Sequence, residues 1–224
     1  MKCFLLFLLL GGPGILLSQS DSKTNSMNNL WLTAKVYPSL SGNMNSYGMN
    51  EFISSVRMRP SLSGGIELTK KLKNNWFLET GILISDWGFK EEGSTEGDPV
   101  VHKYVEKYVF CTVPLNAIYY HKQIYFGLGL NTSYFISGTE IKDGIKNNYS
   151  NPNQGVNTIQ PVPADYWLFG MNAKIGYRFD INDKFSFRTE ITGLFAEHPT
   201  YLPNIFDSPG LFSFGMGIGL DYQM

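Results

Sequence analysis

The last fourteen residues, Leu211 to Met224, alternate without a break. Phe212, Phe214, Met216, Ile218, Leu220, Tyr222 and Met224 fall on one side. Leu211, Ser213, Gly215, Gly217, Gly219, Asp221 and Gln223 fall on the other. A period of two is that of a β-strand, here with one large apolar face and one small or polar face. Its partners must come from earlier segments, and the pattern predicts that it closes a barrel against the first strand.

The same alternation recurs in seven earlier segments: Leu30 to Leu40, Met58 to Leu68, Trp76 to Phe89, Tyr104 to Tyr120, Gln123 to Ser137, Tyr166 to Asp180 and Phe185 to Ala196. The connections alternate in length. Segments 41–57, 90–103, 139–165 and 197–210 are long and rich in Asn, Ser, Gly and Pro, whereas Lys70 to Asn75, His121-Lys122 and Ile181 to Asp183 are short. Each segment has the nine to eleven residues that a tilted strand needs to cross a membrane. Short turns at one end and long loops at the other are the pattern of outer-membrane barrels. The predicted fold is therefore all-β, an eight-stranded antiparallel up-and-down transmembrane barrel, and 224 residues leave no room for a second domain.

Alternation does not say which face points inward, because a soluble lipocalin-like barrel alternates too, with its apolar face inside. Volume and charge decide. Eight strands enclose space for side chains or one small ligand only, and the Phe, Trp, Leu and Ile of the apolar faces are too bulky to share it. Aromatics make up 15% of the chain and charged residues 17%, below the roughly 25% of soluble domains. The polar face is too poor in charge to meet water over eight strands. It carries Lys35, Arg59, Lys174, Arg178 and Arg188 against Glu67, Glu79, Glu106, Glu190 and Asp221, an even balance that a closed interior requires. These ten residues are the candidate interior network. Trp31, Tyr37, Trp76, Trp87, Tyr104, Tyr119, Tyr120, Trp167 and Tyr222 stand near strand ends and are expected to form the interfacial aromatic girdles.

Ahead of the first strand, residues 1–20 have an early Lys2, an apolar run from Phe4 to Leu17 and small Ser18 and Ser20. This is the form of a secretory signal peptide, leaving 21–224 as the barrel domain. Its removal takes Cys3 with it, and Cys111, among valines, is expected to act as a small hydrophobe.

Chemistry is sparse. A formal net charge of −1 without a basic stripe excludes nucleic acid as a partner. His102, His121 and His198 do not lie at metal-ligand spacing, so no metal and no cofactor are expected. A catalytic group at the rim would have to use His198 with Glu197 and Thr200, and no serine nucleophile accompanies them, so the chain reads as a non-enzyme. Gly215, Gly217 and Gly219 lie within a strand and are not followed by a helix, which rules out a phosphate loop.

The runs WFLETGILISDWGF, YVFCTVPLNAIYY, IYFGLGLNTSYFISG and AKIGYRF resemble the outer-membrane β-barrel domain of Bacteroidetes called PorT-like. The resemblance implies an eight-stranded barrel in the cell outer membrane of a Gram-negative organism, without catalytic residues. Gly219, Tyr222 and Met224 are similar to the C-terminal signal read by the barrel-assembly machinery, with Met224 where Phe is usual. The expected partners are outer-membrane lipid, that machinery during insertion, and an extracellular or envelope protein reached through the long loops. The expected role is structural or interactive; a secretion-system accessory or narrow transport barrel is the alternative, and a rim enzyme acting on lipid A the third.

Overall fold

In the computed structural model, residues 30–43, 52–95, 101–150, 167–197 and 210–224 are described. Every regular element among them is a strand. β1 (Leu30–Asn43), β2 (Phe52–Lys71), β3 (Trp76–Thr95), β4 (His102–His121) and β5 (Ile124–Lys142) follow one another as antiparallel neighbours. A short β6 (Ile145–Tyr149) folds back on the end of β5. β7 (Trp167–Asp180), β8 (Phe185–Glu197) and β9 (Leu211–Gln223) complete the wall.

Closure occurs where the alternation placed it. β9 pairs with both β8 and β1, for example Ala34 with Leu220 and Lys35 with Gly219. The barrel is closed, antiparallel and eight-stranded, with β6 as an appendage beside β5. The outward face is apolar: Leu62, Leu128, Leu130, Met171, Phe214 and Met216 each expose more than half of their surface. A soluble domain would bury these side chains. Here they form the surface a bilayer covers, and closure leaves the barrel wall without a free strand edge inside the apolar band.

The short turns cluster at one end. Lys122 (φ 59°) and Asn74 (φ 56°) take left-handed backbone in two of them, which tight reversals between strands demand. At the opposite end the strands run further than the alternation indicated. β2 begins at Phe52, β3 reaches Thr95, β4 starts at His102 and β5 extends to Lys142. The expected loops 41–57, 90–103 and 139–165 are correspondingly shorter, and part of the third is β6. Asp143 (φ 48°) and Gly144 (φ 86°) form the two-residue turn joining β5 to β6. Near the loop end hydrogen-bonded pairing continues without the strict apolar alternation that reveals it. Residues 198–209 of the fourth loop, with His198 and Thr200, and the signal segment lie outside the described residues.

Two irregularities bend the wall. Between Val109 and Phe110 the pairing slips so that Phe110 faces Phe135 and Val109 faces Ser137, leaving Ile136 as the extra residue. Between Met58 and Ser63 the β2–β3 ladder is interrupted as well. There the Ser41 hydroxyl, on β1, donates to Gly88 O (2.8 Å) and accepts from Gly88 N (2.9 Å). It satisfies a backbone pair that the bulge takes out of the ladder.

Candidate functional site

The barrel lumen is where the inward side chains converge, and it is layered. Near the short turns lie Trp31, Phe77, Ile118, Tyr120 and Tyr125, all buried and in mutual contact. Their rings pack tilted, with centroids at 4.7 Å for Phe77 and Tyr120 and 5.2 Å for Tyr120 and Tyr125. At the other end a larger apolar layer joins Tyr37, Leu83, Trp87, Tyr108, Phe110, Phe135, Leu168, Leu194, Ala196 and Leu211.

Between these two layers sits a charged one. Lys35 Nζ lies 2.8 Å from Glu190 Oε1 and 2.8 Å from Glu67 Oε1. Lys174 pairs with Glu79 at very short range and has Glu67 and Glu190 at 3.8 and 3.9 Å. Arg188 donates to Asp221 Oδ1 (2.7 Å), Glu79 Oε2 (2.8 Å) and Thr33 Oγ1 (2.6 Å). Asn116 and Thr69 donate to Glu79, and the Tyr125 hydroxyl donates to Glu190 at 2.7 Å. Side-chain exposure of all seven charged residues is 3% or less. Buried charges persist only when paired: the seven charged residues come from six strands, Asn116 and Tyr125 add hydrogen bonds from β4 and β5, and Glu67 is held by its ion pairs with Lys35 and Lys174.

Of the ten residues named from the sequence, seven therefore meet: Lys35, Glu67, Glu79, Lys174, Arg188, Glu190 and Asp221. Arg178 stands at the turn-side rim, 3.1 Å from Asp180 and 3.9 Å from Asp221, with its guanidinium 5.2 Å from the Trp31 ring. Arg59 is elsewhere, paired with Asp86 at 2.9 and 3.1 Å. Glu106 lies opposite Glu140 near the loop end, buried but far along β4 from the charged layer. Parity along a strand assigns a face and not a level along the barrel axis, and Arg178 and Glu106 differ from the seven in level. Arg59 differs in face: its partner Asp86 lies between the inward Ser85 and Trp87 and also pairs with Lys107, so the Arg59 side chain is on the outer side of the wall and not in the lumen.

The small residues of the lumen make the crowding possible. A Cβ on Gly127 would come 2.8 Å from Lys174 Cγ and 2.6 Å from Ile118 Cδ1, and one on Gly219 would come 3.1 Å from Arg188 Cγ. Bare backbone on one strand thus carries a long charged side chain from its neighbour. Ser39, Ser63, Ser85, Ser213 and Asn131 also point inward and are buried, so small polar side chains fill the space between the larger ones.

The aromatics sort differently from the expected girdles. Trp31, Tyr37, Trp87, Tyr104 and Tyr120 are buried, at 9% exposure or less, so they are not interfacial residues. Trp76 and Tyr222 are exposed on the outside, and Tyr119 and Trp167 are half-buried. Strand-end position alone does not separate a ring that fills the lumen from one that meets the bilayer, because both occur near the ends. Within their strands the inward aromatics share parity with inward charges, Trp31 and Tyr37 with Lys35, Trp87 with Glu79, Tyr104 and Tyr120 with Glu106, and that is the available signal. Cys111 is buried in the wall. No group of three or more metal-ligating side chains occurs among the described residues.

The family described as outer membrane protein beta-barrel domain matches residues 17–198 of this chain. No curated protein sequence matches it. Among solved structures it is similar to the outer membrane protein OprG from Pseudomonas aeruginosa, at 14% identity and a TM-score of 0.42 over 88% of this chain and 96% of that one. It is also similar to Neisserial surface protein A, at 11% identity and a TM-score of 0.45 over 87% and 97%. A third is Ail, the attachment invasion locus protein of Yersinia pestis, at 10% identity and a TM-score of 0.42 over 87% and 99%.

Proposed function

Because this chain belongs to the outer membrane protein beta-barrel domain family and resides in the outer membrane, we propose that it is a closed, non-conducting barrel. Its role is to hold an interaction surface outside the cell. The observation that carries this reading is the stacking of the charged layer, with Lys35, Lys174 and Arg188 each bridging carboxylates, between two aromatic layers. An aqueous path would have to cross all three, and eight strands leave little width for it. The surface offered outward is the continuation of β2 to β6 beyond the apolar band, with the segments that join them.

In this reading residues 1–20 direct export, and Gly219, Tyr222 and Met224 are read by the barrel-assembly machinery. The chain carries out no catalysis and takes a protein partner from the envelope or from outside the cell. Single-channel recording in planar bilayers tests the closed state: the expected result is no conductance step above baseline. Steady conductance would overturn it and favour a narrow transport path or the secretion accessory role of PorT-like barrels. Orientation is checked by a cysteine placed at Gly144, which a membrane-impermeant maleimide should label on intact cells.

A further inference from the structure

The outer face of β2 to β4, just beyond the apolar band, carries a run of cations that the barrel itself does not explain. On β4, Tyr108 and Phe110 point into the lumen, so Lys107, Val105 and Lys103 face outward. Lys90 pairs with Val105 and Arg57 pairs with Lys90, which puts these two on the same outward face. Like charges set directly opposite each other on neighbouring strands are destabilising. Here Arg57 faces Lys90 across the ladder, and Lys107 is the diagonal neighbour of Lys90.

Carboxylates compensate in part. Asp86 takes Arg59 and, at 3.4 Å, Lys107, while Glu92 lies 3.6 Å from Arg57. Asp143 is turned to the backbone N–H of Lys103. Arg57, Arg59, Lys90, Lys103 and Lys107 still outnumber Asp86 and Glu92. The level of the run is informative. A crossing of roughly nine to eleven residues counted from the exposed Trp76 on β3 ends between Ile84 and Asp86. The cations therefore begin where the hydrocarbon stops. Beneath them on the same three strands, Leu62, Ile84 and Leu115 are exposed and apolar.

Apolar wall below and clustered cations above match an amphiphile with a phosphorylated headgroup. We infer that this face binds the phosphate of lipid A in the outer leaflet, with Arg57, Lys90 and Lys107 holding the anion and Leu62, Ile84 and Leu115 lying against acyl chains. The inference rests on the proposed orientation, loops outward, which the labelling at Gly144 reads separately.

The test uses the full mature chain folded in neutral phosphatidylcholine bicelles, titrated with bisphosphorylated lipid A or with the same lipid A after dephosphorylation. Retained lipid is counted by native mass spectrometry. The wild type should retain the phosphorylated form preferentially, and the double variant Arg57→Glu, Lys90→Glu should lose at least about tenfold of that retention, since a basic residue beside an anionic lipid surface contributes roughly fivefold. Lys90→Gln should lose less, and Lys70→Glu with Lys73→Glu, the same charge change at the turn end, should lose none. Folding of each variant is verified by heat-modifiable migration. Equal retention of the two lipid A forms, an unchanged Lys90→Gln, an equal loss in the turn-end control, or full displacement by millimolar inorganic phosphate would each overturn the assignment.

Discussion

Replacing Arg188 by Met should unfold the lumen's charged layer. The guanidinium makes three short hydrogen bonds, to Asp221, Glu79 and Thr33, and its side chain is 2% exposed. Met retains most of the volume but removes the cation, and with it the guanidinium's place over the Tyr125 ring. The layer then holds Glu67, Glu79, Glu190 and Asp221 against Lys35 and Lys174 alone. Hydrogen bonds to charged groups contribute about 1.5–3 kcal/mol each, so three bonds set an upper bound near 5–9 kcal/mol. Part of this is offset because the guanidinium no longer has to be stripped of water. Removing one partner of a buried pair costs about 3–5 kcal/mol, and that is the expected loss, roughly two to four orders of magnitude in the folding equilibrium. The assay is urea titration in phosphatidylcholine vesicles, following tryptophan emission and the heat-modifiable band. Glu92→Gln, which removes an exposed pair, should change stability by no more than about 1 kcal/mol. Adding Glu79→Gln and Asp221→Asn to Arg188→Met should recover at least half of the loss, because the stranded carboxylates are then neutral. An Arg188→Met barrel within about 1 kcal/mol of wild type, or a triple variant no better than the single, would show that the layer is not a coupled ion network.

The lumen is as sensitive to added volume as to lost charge. Gly127→Val should destabilise by about 1–3 kcal/mol through overpacking against Ile118 and Lys174, whereas Gly193→Ala, with nothing within 4 Å of its Cβ, should be neutral in the same titration. Trp87→Ala, at a fully buried ring, should cost about 3–5 kcal/mol yet leave planar bilayers silent, since the charged and turn-side aromatic layers remain; new conductance would place the barrier at Trp87 alone. Cys111 should resist a water-soluble maleimide in the folded barrel and react after urea unfolding, and rapid labelling of the folded form would contradict its burial.

What was legible in the chain was parity. In a barrel wall one face meets hydrocarbon and the other a crowded polar interior, so the alternation of Phe214, Met216 and Ile218 with Gly215, Gly217 and Gly219 reports the fold directly. Parity fails in two places for two reasons. Near the loop end the strict alternation of large apolar with small or polar residues breaks, as in Phe52-Ile53-Ser54-Ser55 and Thr139 to Lys142, so these stretches read as loop although they pair as strands. Asp143-Gly144, a sequence that favours a two-residue hairpin, carried the missing signal for β6. The second failure is level. Glu79 and Glu106 share a face with their strands' other inward residues, but only tilt and register decide that one meets Arg188 while the other stands near the loops.

Register, then, is what converts seven inward charges into a network, and the glycines are what set register. Slide β9 by two residues against β1 and β8: parity survives, and the lipid face remains apolar. But Gly219 would no longer lie beside Lys35 and Arg188, and Asp221 would leave Thr33. The slipped barrel would have to seat its long lumenal side chains over Asp221 or Gly217 and would strand at least one buried carboxylate, at several kcal/mol. Hydrophobic pattern alone leaves slips of two nearly degenerate. The alternation of large charged and absent side chains across neighbouring strands removes that degeneracy, so the lumen specifies the barrel that the outward face only permits.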